Sequence, residues 1–205
     1  MKRYFACLAI FISAIAYAKD APVSGMDLGP LGKLAGTWKS ADSSGVDVAP
    51  GQEHSQAGKG APAVSPYYEV LTFEPAADAT NASDQYLAAM YYKQEVFRRS
   101  DNKKFHDQRG YLIYDKKNQM VYDTFCIPRA VCVVAEGKAG DKMTLKSSPQ
   151  GIAETQYMSR NDKTTGFTIT YDLSGSALKY SQQTSLYVYN KPFQHVDSSA
   201  LVRVK

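Results

Sequence analysis

Hydrophobic and polar residues alternate along most of this chain. FTITYDL (167–173) sets Phe167, Ile169, Tyr171 and Leu173 on one side and Thr168, Thr170 and Asp172 on the other. ALKYSQQTSLYVY (177–189) likewise separates Leu178, Tyr180, Gln182, Thr184, Leu186 and Val188 from Lys179, Ser181, Gln183, Ser185 and Tyr187. A period of two is the pattern of a β-strand. Similar runs recur in YYEVLTFE, YLAAMYYKQEVF, FHDQRGYLIYD, QMVYDTF, VCVVAE and KMTLKSS. Turn-forming residues divide them at Ser100-Asp101-Asn102, Lys117-Asn118, Gly137 to Asp141 and Ser174-Gly175-Ser176. No stretch longer than about ten residues carries the apolar stripe of a helix.

About ten consecutive strands with short connections predict an all-β fold, a single antiparallel up-and-down β-barrel, because closing the sheet removes its edges. MDLGPLGKLAG (26–36) predicts a short helical turn that plugs one end. Residues 41–65 are rich in Gly, Ala, Ser and Pro and predict a long loop in which His54 is solvated. Positions expected to face inward mix Tyr, Thr, Gln and Met with Leu and Val, which suits a cavity better than a dry core. Small barrels of this kind hold one small molecule in the mouth. The 15 tyrosines add little, since tyrosine is a general strand former.

The chain opens MKRYFACLAIFISAIAYA, with Lys2 and Arg3 ahead of an apolar run and a small-x-small ending at Ala16-Tyr17-Ala18. This form predicts a secretory signal peptide over 1–18, cut after Ala18. The run is shorter than the roughly 20 apolar residues that span a bilayer, so no stable membrane insertion is expected after cleavage. A flexible lead-in over 19–30 and one barrel domain over 31–205 follow, in the periplasm or outside the cell. The formal charge of +4 includes the two cations of the leader. No basic cluster interleaved with aromatics appears, so nothing points to nucleic acid. Cys126 and Cys132 remain after processing. In an oxidising compartment they pair as a disulfide; otherwise they act as two small buried apolar residues. No further ligand at suitable spacing makes them a zinc site.

Several short motifs, in order, resemble the nitrobindin-like heme-binding β-barrel family. They are Leu31-Gly32-Lys33-Leu34-Ala35-Gly36-Thr37-Trp38, then Tyr68-Glu69, then Phe105-His106-Asp107-Gln108-Arg109-Gly110-Tyr111, and last Lys191-Pro192-Phe193-Gln194-His195. The resemblance implies a barrel like those of fatty-acid-binding proteins, with heme b held through His195 as the axial iron ligand. It also implies His106 in the heme pocket on the opposite face; Trp38 and Tyr111 are candidates for packing against the cofactor, although Trp38 reads more naturally as barrel core that closes one end. Binding of nitric oxide and isomerisation of peroxynitrite are the activities it suggests. The chain departs from the family after Trp38, where Lys39-Ser40 replaces a glycine-rich turn. The leader and the cysteine pair mark an exported branch.

Other residues have weaker claims. Met90, Met120 and Met158 offer sulfur but read more naturally as core. Arg109 and Arg129 are able to meet a carboxylate bidentately. No nucleophile motif, phosphate loop or metal-hydrolase histidine pair is present, so no catalytic side chain is assigned. Any chemistry would belong to a cofactor. The main alternative is a non-heme carrier of a fatty acid or other apolar molecule, which an interior arginine would mark. A barrel filled by its own side chains is the third reading.

Overall fold

The computed structural model describes residues 25–204. The expected signal peptide and the first half of the lead-in lie outside the described residues. A 3-10 turn, Gly29–Leu34, is followed by eleven strands: β1 (Gly36–Ser40), β2 (Val46–Pro50), β3 (Pro62–Thr80), β4 (Tyr86–Arg98), β5 (Lys104–Asp115), β6 (Met120–Ile127), β7 (Val131–Lys138), β8 (Lys142–Glu154), β9 (Asp162–Asp172), β10 (Leu178–Val188) and β11 (Lys191–Arg203). One short helix, α1 (Gln156–Asn161), sits between β8 and β9. Strands β3 to β11 pair with their sequence neighbours, all antiparallel.

Two short strands close the ring. β1 pairs with β3 over Gly36–Lys39 and with β11 over Trp38–Ser40. β2 pairs with β3 over Val46–Pro50 and with β11 over Val46–Val48. They therefore lie end to end in a single slot between β3 and β11, and the wall is an up-and-down barrel of the expected size.

The 3-10 turn plugs one end. Leu31 and Leu34 are fully buried. Trp38 donates its indole N–H to the Leu34 carbonyl at 2.7 Å. The Arg203 guanidinium lies 4.3 Å from the Trp38 ring centroid and also bonds the carbonyls of Lys33 and Ala35. Gly29, at φ +51°, is pressed against Tyr114, where a Cβ would come within 2.4 Å of the ring. From this end inward the barrel is packed with its own side chains, among them Leu71, Phe73, Met90, Leu112, Met143, Leu145, Leu178 and Leu201.

The long loop expected over 41–65 is shorter than that. Residues 46–50 form β2, and β3 begins at Pro62. The pattern of β2 hides it from sequence reasoning: Asp47 is buried while Val46 is exposed, the reverse of an ordinary half-buried strand. His54 lies in the turns between β2 and β3 and is exposed, as expected.

Candidate ligand site

Halfway along the barrel the lining becomes polar. Glu69, Gln94, Gln108 and Asp123 face inward from β3, β4, β5 and β6, and all are buried. Gln94 and Tyr180 donate to Glu69, and the Tyr67 and Tyr180 hydroxyls meet at 2.7 Å. Beside this cluster, Gln108 Nε2 donates to the Tyr92 hydroxyl at 2.7 Å, which donates to Asp123 Oδ1 at 2.9 Å. Burial raises the Asp123 carboxyl to about 7, although the Tyr92 bond pulls the other way. Burial also raises Glu69, against hydrogen bonds from Gln94 and Tyr180. The Gln108 Oε1 and Asp123 Oδ2 atoms are buried without a partner among the described residues.

Beyond this layer the barrel opens. Several inward positions here are only half-buried, His106 and Ile127 on β5 and β6, Ile152 on β8, Leu186 on β10, Phe193 and His195 on β11, while Val131 and Val188 at the same end stay buried. A depression of about 310 Å³ borders this mouth between Lys104–Asp107 and Ile127–Arg129. That volume is at the lower end of those that hold small molecules. Cys126 and Cys132 face each other across the β6–β7 hairpin and form a disulfide on the outside of the rim. The expected pairing is therefore present.

The two histidines expected at the site both face this mouth, close enough that the charge of one acts on the other. Their states differ. Burial favours the neutral ring of His106, and the positive charges of Arg129 and His195 add to this, against the influence of Gln108. His195 is also subject to burial, but the hydrogen bonds it donates to Asp197 and Asp47 outweigh it and raise its pKa to about 10. Its Nε2 lies 2.5 Å from Asp47 Oδ1 and 3.4 Å from Asp197 Oδ2. These three side chains bring one nitrogen and two carboxylate donors within 4.8 Å of one another.

Tyr111 and Trp38 do not join them. Tyr111 is five residues from His106, so the two-residue period of β5 turns it outward. It is 44 % exposed and packs edge-on against Tyr91. Trp38 is buried at the plugged end, eight residues along β11 from His195 as judged by its partner Arg203. Its role is to fasten the plug. Met90 is buried in the core, and Met158 packs against it from α1. Sequence reasoning missed Asp47 and Asp197. The signal for Asp197 was in plain view, since it is two residues from His195 on the same face of one strand. Asp47 is joined to them only by the ladder between β2 and β11.

The sequence matches the family described as the THAP4-like, heme-binding beta-barrel domain over residues 27–203. The chain belongs to this heme-binding β-barrel family. Among solved structures it is similar to Rv2717c from M. tuberculosis, with a TM-score of 0.59 and 20 % identity over 87 % of this chain and 100 % of that one. At that identity the likeness shows the fold. No curated protein matches the chain. Family membership agrees with a mouth built for one small molecule. No helix among the described residues is long and apolar enough to cross a membrane.

Proposed function

We propose that the open end of the barrel binds ferric heme b through an axial imidazole. The observation that carries this reading is the placement of His106 and His195, both inward and both at the open end, in a chain of a heme-binding family. The residues present fit the group. Ile127, Ile152, Leu186 and Phe193 supply apolar wall, and the orphaned Gln108 Oε1 lies one inward position below His106 on β5. Arg129 stands at the rim with no carboxylate partner among the described residues, where it suits a heme propionate.

In this reading the His195 ring, cationic between Asp47 and Asp197, would lose its Nδ1 proton to take the iron and keep its Nε2–H on Asp47. Metal-bound histidines are commonly oriented by such a carboxylate. His106 faces the opposite side as a neutral ring, able to orient a small ligand or to serve as a second donor. The heme itself supplies a ferric centre for nitric oxide or the peroxynitrite anion, the chemistry that the family resemblance suggests. The filled half of the barrel below excludes water. The leader-like opening and the disulfide support export to the periplasm or beyond.

A fatty-acid carrier is less well supported. Arg109 turns outward to Asp107 and Glu95, and Arg98 is tied to Asp101 at the rim.

Titration of hemin into the purified protein, followed at the Soret band, tests the proposal. Saturable one-to-one binding is expected, with His195→Ala weakening it or changing the spectrum. Absence of specific binding by the wild-type protein would sink it.

A further inference from the structure

The outer face of the barrel carries a row of side chains across four strands. From β4 to β7, Lys93 stands opposite Arg109, Arg109 opposite Cys126, and Cys126 opposite Cys132. Directly opposed residues of an antiparallel sheet are close enough for their side chains to meet. Cys126 is exposed and Cys132 half-buried, so the bridge fills no core and solvent reaches it. The charges around Arg109 are uneven. Lys93, Lys104 and Arg109 share two carboxylates, Glu95 and Asp107, at 2.9 to 3.5 Å. Arg109 turns its Nη2 to both acids, while its Nη1 is buried and meets no acceptor among the described residues. A guanidinium with an unmet donor suits an anionic acceptor, and a thiolate beside a cation is a stabilised one.

We propose that Cys126–Cys132 is a redox-active disulfide that exchanges with thiol reductants, and that Arg109 stabilises the Cys126 thiolate of its reduced form. The site lies on the outside of the rim and stands independently of the heme reading. Reduction takes two electrons, supplied by a dithiol or by two glutathione-type thiols. One donor thiolate attacks the exposed Cys126 sulfur. The Cys126–Cys132 bond breaks, its electron pair leaves on Cys132, and that sulfur takes up a proton. The second donor thiolate attacks the donor sulfur of the mixed disulfide and expels Cys126 as a thiolate beside Arg109. The donor departs as its disulfide, and its remaining proton goes to solvent. A cation beside the departing sulfur speeds this step and favours the reduced form. The hairpin that the bridge fastens carries Ile127, Pro128 and Arg129 along the depression that His106 also borders.

The test equilibrates the purified protein in glutathione buffers of graded ratio and reads its free thiols by alkylation and mass. Structural disulfides withstand the glutathione pool; this one is expected to open within its range. Arg109→Gln is expected to lower the ratio of reduced to oxidised protein in a given buffer by about tenfold, equivalent to about 30 mV. Arg109→Lys restores most of that loss. Iodoacetamide at neutral pH is expected to alkylate Cys126 in the Cys132→Ser variant about tenfold faster than Cys132 in the Cys126→Ser variant, as a stabilised thiolate requires. This comparison carries the test if circular dichroism shows that Arg109→Gln has unfolded. A bridge that stays closed across the glutathione range would overturn the proposal. So would an unchanged ratio in folded Arg109→Gln together with equal alkylation of the two cysteines.

Discussion

Asp123 is fully buried and accepts one hydrogen bond, from the Tyr92 hydroxyl, and its ionisation has a direct bearing on stability. Its pKa is raised from the ordinary carboxylate value to about 7 by burial, so the folded protein holds this proton more tightly than the unfolded chain. Stability is therefore highest below the unfolded pKa, falls as pH rises toward 7, and is flat above it. The charge costs the folded state on the order of 4 kcal/mol at alkaline pH. Asp123→Asn is expected to raise the melting temperature at pH 8.5 and to leave it nearly unchanged at pH 4. Equal effects at both pH values would mean that packing, not charge, governs the site. At this scale the sequence was legible where the two-residue period could be counted from a strand interior. It gave the inward faces of β9 and β10 correctly, and it placed His106 and His195 inside through their motifs. The same count, applied to His106 and Tyr111 together, would have shown that the two cannot face the same way in a regular strand.

Strands reveal themselves when they obey the ordinary pattern, and most of these do. β2 does not, because it buries Asp47 and carries proline at its end, and the residues around it were read as loop. Its partners could be known only from the ladder, so the carboxylate pair around His195 was not legible in advance. The β6–β7 hairpin shows the opposite case. Two cysteines six positions apart in a chain expected to be exported suggested a disulfide, and the register places them directly opposite each other. Closing so short a loop is worth roughly 2 kcal/mol through the entropy of the unfolded chain. Replacing both cysteines with serine is expected to lower unfolding free energy by that amount in urea melts. It is also expected to weaken hemin binding, since Ile127 and Arg129 lie in the same hairpin as the mouth depression. Unaltered hemin affinity in the serine variant would show that the rim holds its shape without the bond.

Over the whole molecule the barrel divides into a filled half and an open half. Leu31, Leu34, Trp38 and Arg203 seal the first, while the second is lined by half-buried residues and two histidines. A closed all-β ring followed from the alternation, but which end was open depended on the plug and on the loss of burial toward the far rim. β11 is held by β10 from Lys191 to Leu201, whereas β2 supports it only at Val196, Asp197 and Ser198. Backbone amides of 191–195 are expected to exchange hydrogen faster than those of 199–203, which β1 helps to cover. Uniform protection along β11 would argue against this division. The slot shared by β1 and β2 thus acts as a seam in an otherwise continuous wall. A slight parting of β2 from β11 would widen the doorway and draw Asp47 away from His195 in one movement, coupling admission of a guest to the character of the nitrogen that receives it.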